Sequence, residues 1–240
     1  LYSRELIIGF RDFDMISTIG SRYRAFSVNA FVISLILVSI AWLDRPLSLW
    51  VHRHSIDSKV LGLSAAYRGY MVPLTPSILL AAPAEFASLV HQIGIVGLGL
   101  ALTWLGRLPR WAMALLASCI ATSVALDIKE QLKWVFGRTW PDSWAGFNPS
   151  WIRDGAYGFH FFHGGVAFES FPSGHAAAIT SFVVPLSLAY PKARIIAVLL
   201  SASTMLGLLA GNYHFLSDVI AGGYLGVAVG MLCSRLVVDK

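Results

Sequence analysis

The chain has 240 residues, 56% of them hydrophobic and 13% charged, with a mean hydropathy of +0.67. A soluble domain carries about 25% charged residues, so this composition excludes an ordinary water-soluble globule and requires a bilayer as solvent. The net charge of +5 accompanies no basic–aromatic cluster of a nucleic-acid module, and reads as topology charge plus affinity for anionic head groups.

The elements follow in chain order. The chain opens on Leu1 rather than Met, which leaves its true start open. Residues 1–25 carry Arg4, Glu5, Arg11, Asp12, Asp14, Arg22 and Arg24 with no apolar core, and read as an interfacial lead-in rather than a cleavable signal peptide. Residues 26–240 then form one membrane-embedded domain. Apolar runs cover about 26–43, ending at Asp44-Arg45-Pro46, then about 86–105, 111–128, 176–190, 195–210 and 219–238. The expected fold is an all-α polytopic bundle of about six transmembrane helices. Gly222, Gly223, Gly226 and Gly230 in the last run predict close helix–helix packing. Residues 46–85, with Pro73, Pro76 and Pro83, read as interfacial helices or a re-entrant piece. Residues 137–171 read as a structured loop over one membrane face. Their aromatics Trp140, Trp144, Trp151, Phe159, Phe161 and Phe162, with Trp134, read as an interfacial belt. Cys119 and Cys233 each lie in an apolar run and predict buried small side chains, not a disulfide or metal site.

Charge counting sets the orientation. Arg4, Arg11, Arg22, Arg24, Arg107, Arg110, Lys192, Arg194, Arg235 and Lys240 fall on one face, against Glu5, Asp12, Asp14 and Asp239. The positive-inside rule assigns that face to the cytoplasm. The loops 46–85, 137–171 and 211–217 then face outward, which in a bacterium is the periplasmic side of the inner membrane.

Polar groups concentrate at the outward ends of the spans, where an ionisable residue is a functional candidate. Pro172-Ser173-Gly174-His175 immediately precedes an apolar helix. Ser173 can cap it, Gly174 allows close backbone approach, and the free N–H groups of the helix start form an anion site beside His175. An ordinary N-cap with an interfacial histidine accounts for this tetrapeptide equally well. His214 and Asp218, at i and i+4, share a helix face, so the carboxylate can fix the imidazole tautomer and leave the other nitrogen as a nucleophile. A structural His–Asp pair is the plain alternative.

Together the segments are more specific. Lys133…Pro141, Pro172-Ser173-Gly174-His175 and His214-Phe215-Leu216-Ser217-Asp218 resemble the type 2 phosphatidic acid phosphatase superfamily, whose signature is K-x6-R-P, P-S-G-H and S-R-x5-H-x3-D. The resemblance implies a six-helix membrane enzyme cleaving a lipid-linked phosphate ester. In it His214 attacks phosphorus to form a phosphohistidine, Asp218 orients it, and His175 protonates the leaving alcohol. Lys133, Arg138 and the backbone of Ser173 and Gly174 hold the phosphoryl oxygens. It implies no metal and no cofactor, and its partners are a lipid phosphate and membrane lipids, not nucleic acid. The oligomeric state is left open.

Two family arginines are absent. Trp140 stands before Pro141, and Leu208 stands six residues before His214. Arginine forks usually hold the charge of a phosphate monoester, so their loss suits a phosphodiester. Three functions follow: a lipid phosphatase first, a lipid phosphotransferase using a phosphodiester donor second, and a non-catalytic lipid-binding or transport module third. The six apolar spans argue against the haloperoxidases of the same superfamily.

Overall fold

A computed structural model describes residues 26–54, 76–143 and 148–237. The expected N-terminal segment 1–25, Trp144 and residues 55–75 lie outside the described residues. The described part is helical: α1 (Phe26–His54), α2 (Pro76–Leu105), α3 (Arg110–Phe136), α4 (Trp151–Asp154), α5 (Gly174–Ala189), α6 (Arg194–Ala210) and α7 (Leu216–Val237). Among the described residues, five helices are long and apolar enough to cross a membrane, and α5 is a shorter apolar helix. The protein is an integral membrane bundle of about six spans.

Three helices run past their expected ends. α1 continues through Asp44-Arg45-Pro46; a wider π turn, Ser39–Leu43, precedes the proline, and the Asp44 N–H donates to the Ser39 carbonyl. Asp44, directly after that turn, is buried in the bundle rather than exposed at a helix end. α2 begins at Pro76, not near residue 86, and passes Pro83. The interfacial or re-entrant reading of 46–85 thus gives way at both ends to extensions of the flanking helices. α3 continues eight residues past 128 and closes on Gly137, whose φ of 53° is left-handed, so Lys129 and Lys133 stand on its last turns.

α5 is the central helix, packed on α2, α3, α6 and α7. A methyl at Gly222 would lie 2.2 Å from the Ser173 carbonyl oxygen, and one at Gly226 would lie 2.1 Å from Thr180 Oγ1. With lipid outside, apolar burial does not drive helices together; close backbone approach does. Cys119 packs with Ala84, Ala87, Ile179, Phe182 and Val183, and Cys233 with Ala121, Ala125 and Val229. Both thiols are free and buried. The outer faces are apolar, with Trp104 90% and Ile93 76% exposed towards the bilayer.

Both ends flanking 55–75 meet the same end of the bundle. Ser48 Oγ donates to Asn212 Oδ1 at 2.9 Å. Ala81 of α2 packs with Ala176, Leu208 and Val219. The end of α1, the start of α2, the end of α3, the start of α5 and the α6–α7 loop therefore share one level, and the polar residues gather there.

Candidate active site

The start of α5 is built first. Phe171–Pro172 is a cis peptide. Ser173 caps α5, its hydroxyl accepting from Ala176 N at 3.4 Å. Its own N–H donates to the Asp218 carbonyl at 3.0 Å. This bond and the Gly222 contact clamp the helix start onto the start of α7, so the anion-binding end of α5 and the His214–Asp218 pair occupy one site.

Asp218 is fully buried. Its Oδ2 accepts from Ser170 Oγ at 2.6 Å and Phe215 N at 2.9 Å, and its Oδ1 accepts from Arg138 Nη1. His214 Nδ1 lies 3.6 Å from Asp218 Oδ2, which is charge proximity rather than a hydrogen bond. The indole of Trp140 covers the imidazole at 5.2 Å between ring centres and anchors itself by donating Nε1–H to the Val166 carbonyl at 2.7 Å. Burial pushes the His214 pKa below its ordinary value of 6.5, against the opposing pull of Asp218. The ring is therefore neutral at neutral pH, which a nitrogen nucleophile requires.

Arg138 departs from its expected phosphate-holding role. Its guanidinium is 0% exposed and turned inward. Nη1 donates to Ser217 Oγ at 2.6 Å and to Asp218; Nη2 donates to Asp44 Oδ2 at 2.6 Å and Tyr157 Oη at 3.0 Å. Phe159 and Phe215 lie 4.8 and 4.5 Å from the guanidinium carbon. Asp44 also accepts from Ser217 N at 3.0 Å and Ser217 Oγ at 2.5 Å. Tyr157 donates to the Ile40 carbonyl at 2.7 Å, beside the π turn of α1. Burial disfavours the Arg138 cation, but Asp218 and Asp44 outweigh it and hold its pKa above the ordinary value. Burial likewise pushes the Tyr157 hydroxyl up to about 12. The network ties α1, the loop after α3 and α7 together behind the histidine.

Two lysines border the site. Lys133 pairs with Glu169 at 3.8 Å and adds its charge to the field on His214. Lys129, one turn earlier, is buried and pairs with Glu130. A methyl at Gly174 would stand 3.3 Å from Lys129 Nζ, so this ammonium reaches the start of α5. His175 Nε2 donates to Glu85 Oε1 of α2 at 2.7 Å. Next to this pair an apolar cleft of about 500 Å³ opens between α2, α5 and α6, lined by Ala82, Phe86, Ile179, Phe182 and Leu200.

The two absent arginines leave no gaps. Trp140 fills the first position against His214. Leu208 fills the second, 2% exposed and packed with Ala81, Ala176 and Val219. The aromatic loop is only in part a belt. Trp134, Phe161 and Phe162 are exposed, whereas Phe159 and Trp140 pack inward on Arg138 and His214. His160 and His163 both pack edge-on against Phe168. Asp44, Glu85, Lys129 and Tyr157 were not singled out from sequence. Asp44 and Glu85 each carried a signal: an isolated carboxylate in an apolar helix.

His214, Asp218 and the start of α5 thus meet at one end of a membrane bundle, and comparison with known proteins gives the chain its family. Residues 111–240 match the sequence model of the PAP2 superfamily, and the chain belongs to it. It is 34% identical over 93 residues to the lipid A 1-phosphatase of Rhizobium etli, an alignment covering 38% of this chain and 36% of that protein. It is 33% identical over 103 residues to the lipid A 1-phosphatase of Rhizobium johnstonii, covering 42% and 38%. The matched stretches thus span little more than a third of these relatives. A crystal structure of a transmembrane PAP2-type phosphatidylglycerolphosphate phosphatase from Bacillus subtilis aligns over 86% of this chain and 94% of that one, at 17% identity and a TM-score of 0.44.

Proposed function

We propose that the protein is a lipid phosphatase that cleaves a phosphate monoester from a membrane lipid through a phosphohistidine. The observation that carries this reading is the neutral, buried His214, backed by Asp218 and locked to the start of α5 by the Ser173–Asp218 bond. His214 Nε2 attacks phosphorus while Nδ1 faces Asp218, whose charge stabilises the ring as it becomes cationic. The P–O bond to the lipid breaks, its electron pair goes to the lipid oxygen, and His175 protonates that oxygen. His175 then takes a proton from water as the water oxygen bonds phosphorus and the P–N electron pair returns to His214.

The backbone N–H groups at Gly174 and the ammonium groups of Lys129 and Lys133 hold the phosphoryl oxygens. In this reading the lysines supply as point charges what the absent arginines supply as forks. Arg138 is assigned to holding Asp218 and Asp44 in place. The apolar cleft beside His175 supports a lipid rather than a soluble ester, and the similarity to lipid A 1-phosphatases supports a phosphorylated glycolipid. The charge distribution supports an active site on the periplasmic side of a bacterial inner membrane.

The test is turnover of a lipid monophosphate by the purified protein in detergent. Free phosphate is expected, with loss of turnover in His214→Ala and an acid-labile, alkali-stable phosphoenzyme in the wild type. A new lipid phosphodiester formed from an added alcohol lipid, with no free phosphate, would replace hydrolysis with transfer. Unchanged turnover in His214→Ala would remove the nucleophile assignment.

A further inference from the structure

α2 carries one acidic or basic side chain besides its buried His91. Glu85 is the only Asp, Glu, Lys or Arg between Pro76 and Leu105. A carboxylate in a membrane-spanning helix is costly and persists where a partner and a function keep it. Its partner is His175, whose Nε2–H it accepts at 2.7 Å across 90 residues of sequence. The other charged or titratable groups around this pair are Lys129 beside Gly174, Glu130 paired with Lys129, and His214 with Lys133 and Asp218 behind it. On α2 itself His91 is buried within the bundle. Among the described residues, Glu85 is therefore the one carboxylate bonded to His175.

We propose that Glu85 is a positioning residue for His175. It accepts from Nε2 in both protonation states and fixes the ring against α2, so that Nδ1 carries the proton given to the departing lipid oxygen. After that transfer Nε2–H still donates to Glu85, and the freed Nδ1 is the base that takes a proton from water. The logic is that of any carboxylate–imidazole pair: the acid anchors one nitrogen and sets the tautomer of the other. This inference rests on the phosphatase reading above, with His175 as the acid.

A merely structural Glu85 and a positioning Glu85 separate by leaving group. An alkoxide leaves badly without a proton, whereas p-nitrophenolate leaves without help. The ratio kcat/KM reports steps up to P–O cleavage, and so isolates the acid step from the later attack of water. For Glu85→Gln, kcat/KM on a dialkylglycerol monophosphate is expected to fall roughly 10- to 100-fold, part of what a positioned general acid supplies. On p-nitrophenyl phosphate the fall is expected to stay within about threefold, since that leaving group makes little use of the acid.

Glu85→Asp, which keeps the charge but withdraws it by one methylene, should fall between, with the same preference for the nitrophenyl ester. Thermal unfolding in detergent separates loss of fold from loss of function. An equal fall on both esters, or none on either, in whichever variant unfolds as the wild type does, would overturn the proposal. If the wild-type protein turned over neither ester, the phosphatase reading would fail and this inference with it.

Discussion

Arg138→Lys separates two roles for the same residue. If Arg138 held phosphate, lysine would keep the charge, raise KM and leave the empty protein as stable as before. The geometry predicts the opposite. The guanidinium makes four hydrogen bonds, to Ser217, Asp218, Asp44 and Tyr157, from the two terminal nitrogens of its planar fork. A single ammonium nitrogen cannot occupy both positions, so at least two charge-assisted bonds are lost. At roughly 1.5–3 kcal/mol each the loss is about 3–6 kcal/mol, and relaxation brings it towards the lower end. For a chain of this size that corresponds to a fall in Tm of about 6–12 °C. The assay is thermal unfolding of purified, ligand-free protein in detergent, beside phosphate release. A wild-type Tm with a raised KM would refute the clamp and restore the phosphate contact.

Three further outcomes are expected. Gly222→Ala puts a methyl 2.2 Å from the Ser173 carbonyl oxygen, so α7 must move off the start of α5; phosphate release should fall at least about 100-fold, since a displacement near 1 Å costs that much, and wild-type turnover would contradict it. Trp140→Arg removes the ring over His214 and the Nε1–H bond to Val166, and places a cation beside the nucleophile; kcat on the native substrate should not rise, and a large gain in a titration of initial rates would show that the site lacks an arginine rather than being built around the tryptophan. The third outcome concerns pH. Since the folded-state pKa of His214 is depressed, its contribution to stability is complete above the ordinary value of 6.5 and is lost as pH falls through the folded value. Denaturant unfolding of the wild type should weaken from pH 7 towards 5, and His214→Gln should flatten that slope; identical slopes would contradict burial of a neutral ring.

Much of the architecture was legible from sequence because bilayer burial is a property of single segments. Each apolar run reports its own preference for lipid, so α3, α5, α6 and α7 were found close to where they lie, and the glycines of α7 marked its packing face. The boundaries that failed were those where a helix continues into polar sequence. Asp44 and Lys129 stop a hydropathy run, but neither stops a helix whose polar residues find partners inside the bundle. Pro46 read as a terminator for the same reason; the π turn ahead of it exists only in three dimensions.

Likewise, the sequence by itself marked the candidate residues for chemistry. His214, Asp218, Ser173, Gly174 and His175 lie in short segments with local geometric logic: an i, i+4 pair and a helix start. What only the tertiary structure decided is who faces whom. Arg138 sits five residues from Lys133 in the chain, yet it turns inward to two carboxylates that come from α1 and α7. Lys129 lies beside Glu130 in the chain, yet it reaches the backbone of α5. Glu85 lay in a segment without a legible pattern, yet it holds His175. These are pairings across 45 to 94 residues of chain. Partners at such separations are chosen by how the helices pack, and helix packing is set by all the side chains at once, so no local pattern in the sequence encodes them.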